Sequence, residues 1–193
     1  MWKFRTTASL FIACIVLGLG TFYALRLGYY PAAVVNGSLI GARTLDDSVA
    51  SVEHYYDQAI ATYGELATVP QDVSSLELRR ATLDKLIENQ LIYATLREEI
   101  GEHQLAQAVT GKISALQDQN PDLKEAVATL YGLSFERFET LVLVPQARLE
   151  ILIEQLTSSE SSFPSWIEGA RQKARVLIFE PDLAWDGSQV TFR

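Results

Sequence analysis

Cysteine, histidine and basic charge are scarce in this chain. One cysteine, Cys14, and two histidines, His54 and His103, stand among 193 residues. A lone thiol near the N-terminus leaves the rest without a disulfide, so its stability must come from an apolar core. The two histidines fall on different expected elements, which leaves little for histidine-based catalysis or a multi-histidine metal site. Of 16 basic residues, Lys3, Arg5 and Arg26 precede Tyr30, whereas all 24 acidic residues follow it. The part after Tyr30 thus sets 13 basic residues against 24 acidic ones, a net charge of −11. A field of that sign repels phosphates and supplies no basic stripe, so nucleic acid is excluded as a partner. No glycine-rich phosphate loop and no G-x-S-x-G elbow is present, and no cofactor is expected.

What the chain does have is apolar substance, at 48% of its residues. The length suits about one domain, and the composition rules out disorder. Ala8 to Leu25 carries no charge; at about 1.5 Å per residue it spans roughly 27 Å, close to the hydrocarbon thickness of a bilayer. Residues 1–30 are therefore expected to form a cytoplasmic stub and a single transmembrane helix, and residues 31–193 an extracytoplasmic or periplasmic domain. Lys3, Arg5 and the terminal amine outweigh Arg26, which keeps the N-terminus inside and places the protein in the inner (cytoplasmic) membrane. A cleaved signal peptide is the rival, but the apolar run exceeds the usual length and no clear A-x-A site follows. Cys14 reads as a small membrane-buried thiol.

Beyond the anchor the expectation is a mainly α fold with a short β-hairpin at its start and a strand at its close. Asn36-Gly37 between Val34-Val35 and Leu39-Ile40 signals a tight hairpin, because both turn residues tolerate positive φ. The same Asn36-Gly37-Ser38 is formally a glycosylation sequon, which the turn explains without a glycan. Leu45, Val49, Val52, Tyr56, Ile60 and Tyr63 recur at three and four and predict a helix from Thr44 to Tyr63. Ser74 or Ser75 caps the next helix, which runs to Ile100 and stops at Gly101. Leu105 to Gln119 is a third, and Pro121 takes the first turn of a fourth ending at Tyr131-Gly132. Ser134 caps a fifth, with Leu133 and Phe138 as a hydrophobic staple, and Pro145 is expected to kink or break it. Thr157 to Ser162 is a polar linker, Phe163 to Trp166 starts another helix, and Arg175 to Phe179 is a strand that can pair with the opening hairpin. For Asp186-Gly187 two outcomes stay open, a small terminal hairpin or a frayed tail.

Val34 to Ile40, the helix after it, the run Arg80 to Ile92, and Gly132-Leu133-Ser134-Phe135-Glu136-Arg137-Phe138, which fits a G-x-S-x-x-x-F cap, follow one another in an order that resembles the N-terminal chaperone domain of SurA-like and PrsA-like exported foldases. The segment Trp166 to Phe179 is similar to the helix and strand that complete that domain. Where family members with prolyl isomerase activity insert a parvulin domain, this chain has only Thr157 to Ser162. The resemblance therefore implies a SurA N-terminal-like helical domain that holds unfolded or exported polypeptides without catalysis.

The polar clusters have plain explanations. Glu53, His54 and Asp57 fit a solvated helix face better than a metal site. Glu98, Glu99, Glu102 and His103 are helix-end charge, and Asp182 and Asp186 around Trp185 are turn residues. Tyr55, Tyr56, Tyr63, Tyr93, Tyr131, Phe135, Phe138 and Trp166 are more aromatic surface than one helix stripe needs, and they are the candidate polypeptide-binding residues. Tyr55 and Tyr56 are expected to point to different sides of their helix. The reading is a non-enzymatic chaperone-like protein. The alternatives are an interaction subunit docking one folded partner and, less favoured, a prolyl isomerase; homo-oligomerisation stays open.

Overall fold

A computed structural model describes residues 30–63 and 73–193. The opening hairpin joins β1 (Pro31–Val35) to β2 (Ser38–Gly41), and Asn36 and Gly37 take φ of 50° and 86° at its turn. The long helices follow: α1 (Ala42–Tyr63), α2 (Ser75–Ile100) and α3 (Glu102–Gln119). Next come α4 (Leu123–Tyr131), the single turn α5 (Phe135–Phe138), a wide π-helical turn over Glu139–Leu143, and α6 (Val144–Ser158). The chain closes with α7 (Phe163–Lys173), β3 (Val176–Ile178) and a hairpin of β4 (Leu183–Trp185) and β5 (Val190–Phe192).

Helix ends follow local chemistry. Ser74 accepts from Glu77 N–H, Ser134 from Arg137 N–H and Ser162 from Ser165 N–H, each satisfying an otherwise orphaned donor. Gly132 ends α4 in the left-handed region at φ 63°. Two expectations change. Pro121 sits in a turn ahead of α4, which starts at Leu123. Pro145 neither breaks nor ends the helical path. It falls in the first turn of α6, and the π turn before it lets Val144 N–H bond Glu139 O, five residues back. Proline lacks the N–H that would bond Leu141 O and its ring crowds that carbonyl; a wider turn accommodates both constraints.

Two cores share one helix. The first gathers the hairpin, Leu45 and Val49 of α1, Leu83, Ile87 and Leu91 of α2, and Leu183 and Val190 of the terminal hairpin. The second gathers Ile92 and Leu96 of α2 with Leu105, Val109 and Ile113 of α3, Val127, Phe138, Leu143 and Leu152. β3 pairs antiparallel with β1, Val34 opposite Leu177, so the sheet order is β2-β1-β3 and the two ends of the domain meet. Asn36 reinforces the junction: its Oδ1 accepts from Arg175 N–H at 2.9 Å.

Ion pairs fasten the closing elements to α2. Arg79 donates to both oxygens of the buried Glu180 at 2.7 and 3.1 Å and to Asp46 at 2.8 Å, which raises its proton affinity above that of an ordinary arginine. Burial opposes the charge on Arg171, but Asp84 and Glu88, at 2.9 to 3.0 Å, more than restore it. Asp84 also accepts from Val190 N–H, and Arg80 donates to Val190 O. A buried carboxylate such as Glu180 is tolerable only with such a partner.

The transmembrane part of the expected fold requires correction. Among the described residues no helix is long and apolar enough to cross a membrane. The longest, α2, has 26 residues, more than the about 20 a span needs, but charged side chains from Glu77 to Glu99 punctuate it. Ala8 to Leu25 lies outside the described residues. The single-pass anchor and the inner-membrane location built on it are therefore withdrawn.

Because α2 contributes to both cores, Leu83→Ala and Leu96→Ala should each lower unfolding free energy by about 2–5 kcal/mol. Denaturation followed by circular dichroism should give one transition for each variant; two separated transitions would show independent cores. At the terminal hairpin, the N–H groups of Ser188 and Gln189 hold the Asp186 carboxyl below the usual aspartate range. The stabilisation is present above that range and lost as pH falls through the lowered value. Hydrogen exchange at Ser188 and Gln189 should accelerate on acidification relative to the intrinsic rate, and Asp186→Ala should abolish the dependence.

Candidate functional site

An open groove of about 330 Å³ lies between α1, α2, the end of α4 and the π turn. Val52, Tyr55 and Tyr56 of α1, Leu86 of α2, Tyr131 of α4 and Leu141 and Val142 of the π turn give it an apolar lining. Ser51 and Thr82, both buried, Ser48 and Asn89 place a few polar groups along it, and Lys85 at the rim is paired with Glu88. Apolar walls with sparse polar groups are the usual character of a binding pocket, and the volume sits near the lower end of the roughly 300–1,000 Å³ typical for small ligands. A larger hollow of about 420 Å³ beside the opening hairpin is lined by Asn36, Ser38, Gln90, Arg97 and Glu98. It is bigger, but polar and charged side chains outnumber Val35 and Ala94 in its lining, so the smaller, more apolar groove is the better site for apolar groups.

The groove exists because α4 leans on α1 through a few contacts. Tyr55 and Tyr131 stack with centroids 5.2 Å apart, and Phe138 lies 4.8 Å behind Tyr131. His54 Nε2 lies 3.3 Å from Thr129 O, and Arg137 pairs with Asp47. Burial and then neighbouring Tyr55 push the Tyr131 hydroxyl above its usual pKa, so it is neutral near pH 7. Gly132 fits under the His54 ring, where an added Cβ would come within 3.1 Å of the imidazole.

The eight candidate aromatics do not form one surface. Tyr55, Tyr56 and Tyr131 border the groove and Phe138, 5% exposed, supports them from the core. Tyr55 and Tyr56 do not point apart as expected: their rings are 6.2 Å apart and both reach the groove, because it wraps around that side of α1. Tyr93 is on the second half of α2, where Arg148 lies 4.2 Å from its ring and its hydroxyl bonds Glu102. Phe135 lies beneath Lys124, and Trp166 stacks on Phe163 between the two cores. Tyr63 ends α1, and its side chain lies outside the described residues. Leu86, Leu141 and Val142 were missed because aliphatic residues at helical spacing look like core. Pro145 was the available signal, since a proline inside a helical run reorganises the turn before it.

Among the described residues no three His, Cys, Asp or Glu side chains gather as metal ligands would, so Glu53, His54 and Asp57 do not form such a group. No family model, curated protein or solved structure matches this chain.

Gly132→Ala should destabilise the protein by about 1–2 kcal/mol, the cost of a left-handed residue with a Cβ, and the crowding of His54 should loosen the Tyr55–Tyr131 stack. Thermal unfolding and the near-ultraviolet tyrosine signal report the two effects.

Proposed function

We propose that this protein is a non-catalytic polypeptide binder of chaperone type, which takes apolar side chains of unfolded chains into the groove between α1, α2 and the π turn. The observation that carries the reading is the groove's composition: apolar walls, open to solvent, in a domain of net negative charge. Apolar contact makes little demand on sequence, so one groove serves many segments, and net negative charge limits self-association. Tyr55 is 37% exposed at the rim and offers a large contact area at small entropic cost. The order of hairpin, long helices, Ser134 cap and closing strand supports placing the chain with the SurA-like and PrsA-like chaperone domains lacking a parvulin unit. In this reading its action is to hold, not to isomerise.

Stoichiometric full-length protein should suppress aggregation of a chemically unfolded test protein without ATP, and should leave the rate of proline-limited refolding unchanged. Tyr55→Ser combined with Leu141→Ser should raise the concentration needed for half-maximal suppression about tenfold, a loss near 1.4 kcal/mol. Unaltered suppression by that variant would remove the groove from the mechanism. Crosslinking to a single folded protein in place of many unfolded ones would favour the docking-subunit reading.

A further inference from the structure

The Asn36-Gly37 pair that turns the opening hairpin is also a reactive pair. Of the three asparagines, Asn36 alone precedes glycine; Asn89 precedes Gln90, and Asn120 precedes Pro121, which has no N–H. An asparagine amide carbon is open to attack by the next peptide nitrogen, and a glycine presents that nitrogen with no side chain in the way. Asn36 and Gly37 are both exposed, and nothing lies within 4 Å of the place a Cβ would occupy on Gly37. The polar hollow lined in part by Asn36 and Ser38 gives water a route to the turn. Among the described residues neither Gly37 N–H nor Asn36 Nδ2 has a hydrogen-bond partner.

The fold restrains the amide at one place. Asn36 N–H donates to Arg175 O, and Asn36 Oδ1 accepts from Arg175 N–H, each at 2.9 Å. Backbone and side chain of Asn36 are thus fastened to the same residue, just ahead of β3. Attack requires the amide plane to turn its face to the Gly37 nitrogen. A free side chain samples that orientation by rotating about Cα–Cβ, whereas one held by Oδ1 reaches it only when the bond to Arg175 is released. The main chain cannot turn instead, because a hairpin with only Asn36 and Gly37 between the paired Val35 and Ser38 fixes both at positive φ, 50° and 86°. β3 is a strand of three residues, and so short an element opens at less than the cost of global unfolding.

We propose that Asn36 is a modification site gated by β3: its amide is converted to aspartyl and isoaspartyl forms when the β1–β3 junction opens, and the isoaspartyl form prevents the junction from closing again. Water is the only co-reactant. Gly37 N–H loses its proton to a base in the solvent, and the nitrogen attacks Asn36 Cγ. A bond forms between that nitrogen and Cγ, the Cγ–Nδ2 bond breaks, and Nδ2 leaves as ammonia with a proton from solvent. Water then opens the cyclic imide at either carbonyl. Cleavage at Cγ restores the normal main chain with a carboxylate in place of the amide, and its oxygens can still accept from Arg175 N–H. Cleavage at the main-chain carbonyl routes the chain through Cβ and Cγ. The turn is then longer by one carbon, Val35 and Ser38 lose the register that the hairpin imposes, and the carboxylate left on Cα is one carbon too short to replace Oδ1. The hairpin that joins the two ends of the domain therefore records their parting. The inference does not rest on the groove's function.

Full-length protein is incubated in mildly alkaline buffer, folded and in urea, and followed by peptide mass spectrometry, with isoaspartate labelled by its methyltransferase. In urea Asn36 should convert much faster than Asn89. In the folded protein it should convert at least about tenfold more slowly than in urea, as expected of a junction that is mostly closed. Arg175→Pro removes the N–H that holds Oδ1 and keeps the carbonyl; Ala174 before it already has φ −71° and ψ 138°, which a following proline accepts. Conversion in this variant should approach the urea rate. If the variant does not fold, the unaltered protein decides: over a series of low urea concentrations, hydrogen exchange at Arg175 N–H and conversion of Asn36 should rise together. Purified isoaspartyl protein should melt below Asn36→Asp. The proposal is overturned if folded and unfolded chains convert equally fast, if Asn36 is no faster than Asn89 in urea, if folded Arg175→Pro converts as slowly as the unaltered protein, if exchange and conversion do not move together, or if the isoaspartyl protein melts with Asn36→Asp.

Discussion

Everything in this domain depends on one helix having two apolar faces. Leu83, Ile87 and Leu91 of α2 bury themselves in the first core, and Ile92 and Leu96 in the second. Leu91 and Ile92 are consecutive, so their side chains leave the helix about 100° apart, and the apolar stripe changes direction at that point. Each core alone would be small for a chain without disulfides. Sharing a rigid rod of 26 residues lets the two support each other, and α1 and α4 are drawn together across the space between them.

The polar side of the same helix does a second job. Arg79, Arg80, Asp84 and Glu88 face the closing elements, where they meet Glu180, Val190 and Arg171. These contacts join residues about a hundred positions apart, and they have buried or half-buried members for which an absent partner would be costly. They pin α7 and the terminal hairpin against α2 while β3 is laced to β1.

The groove follows from those restraints. α2 fixes one wall, α1 another, and the third comes from a turn whose shape Pro145 dictates. A proline at that position leaves Leu141 O without its usual donor, the turn widens, and Leu141 and Val142 come to border the opening. Tyr131 reaches the same place because Gly132 ends α4 in a conformation open mainly to glycine. Local backbone chemistry, more than any reactive side chain, builds the site.

Much of this was legible beforehand. The Asn36-Gly37 hairpin, the Ser134 cap, the cap at Ser74 or Ser75, the stop at Gly101 and the start of α7 at Phe163 are all set by neighbours within a few positions, and such signals survive in any tertiary context. Pro121 misled because a proline before a helix fits a preceding turn as readily as the first helical position. The apolar run from Ala8 to Leu25 suggested an element that lies outside the described residues. Aromatic residues could be counted but not placed: Tyr93 and Tyr131 look alike in the chain, yet one lies beside Arg148 and the other lines the groove. The sequence by itself determined which segments are helical, where the capped ones start or stop, and that no disulfide holds the domain, because those depend on short-range hydrogen bonding and composition. Only the tertiary structure decided which apolar residues meet, which strand of the opening hairpin β3 pairs with, and where an apolar cleft is left uncovered, because those depend on packing between residues far apart in the chain.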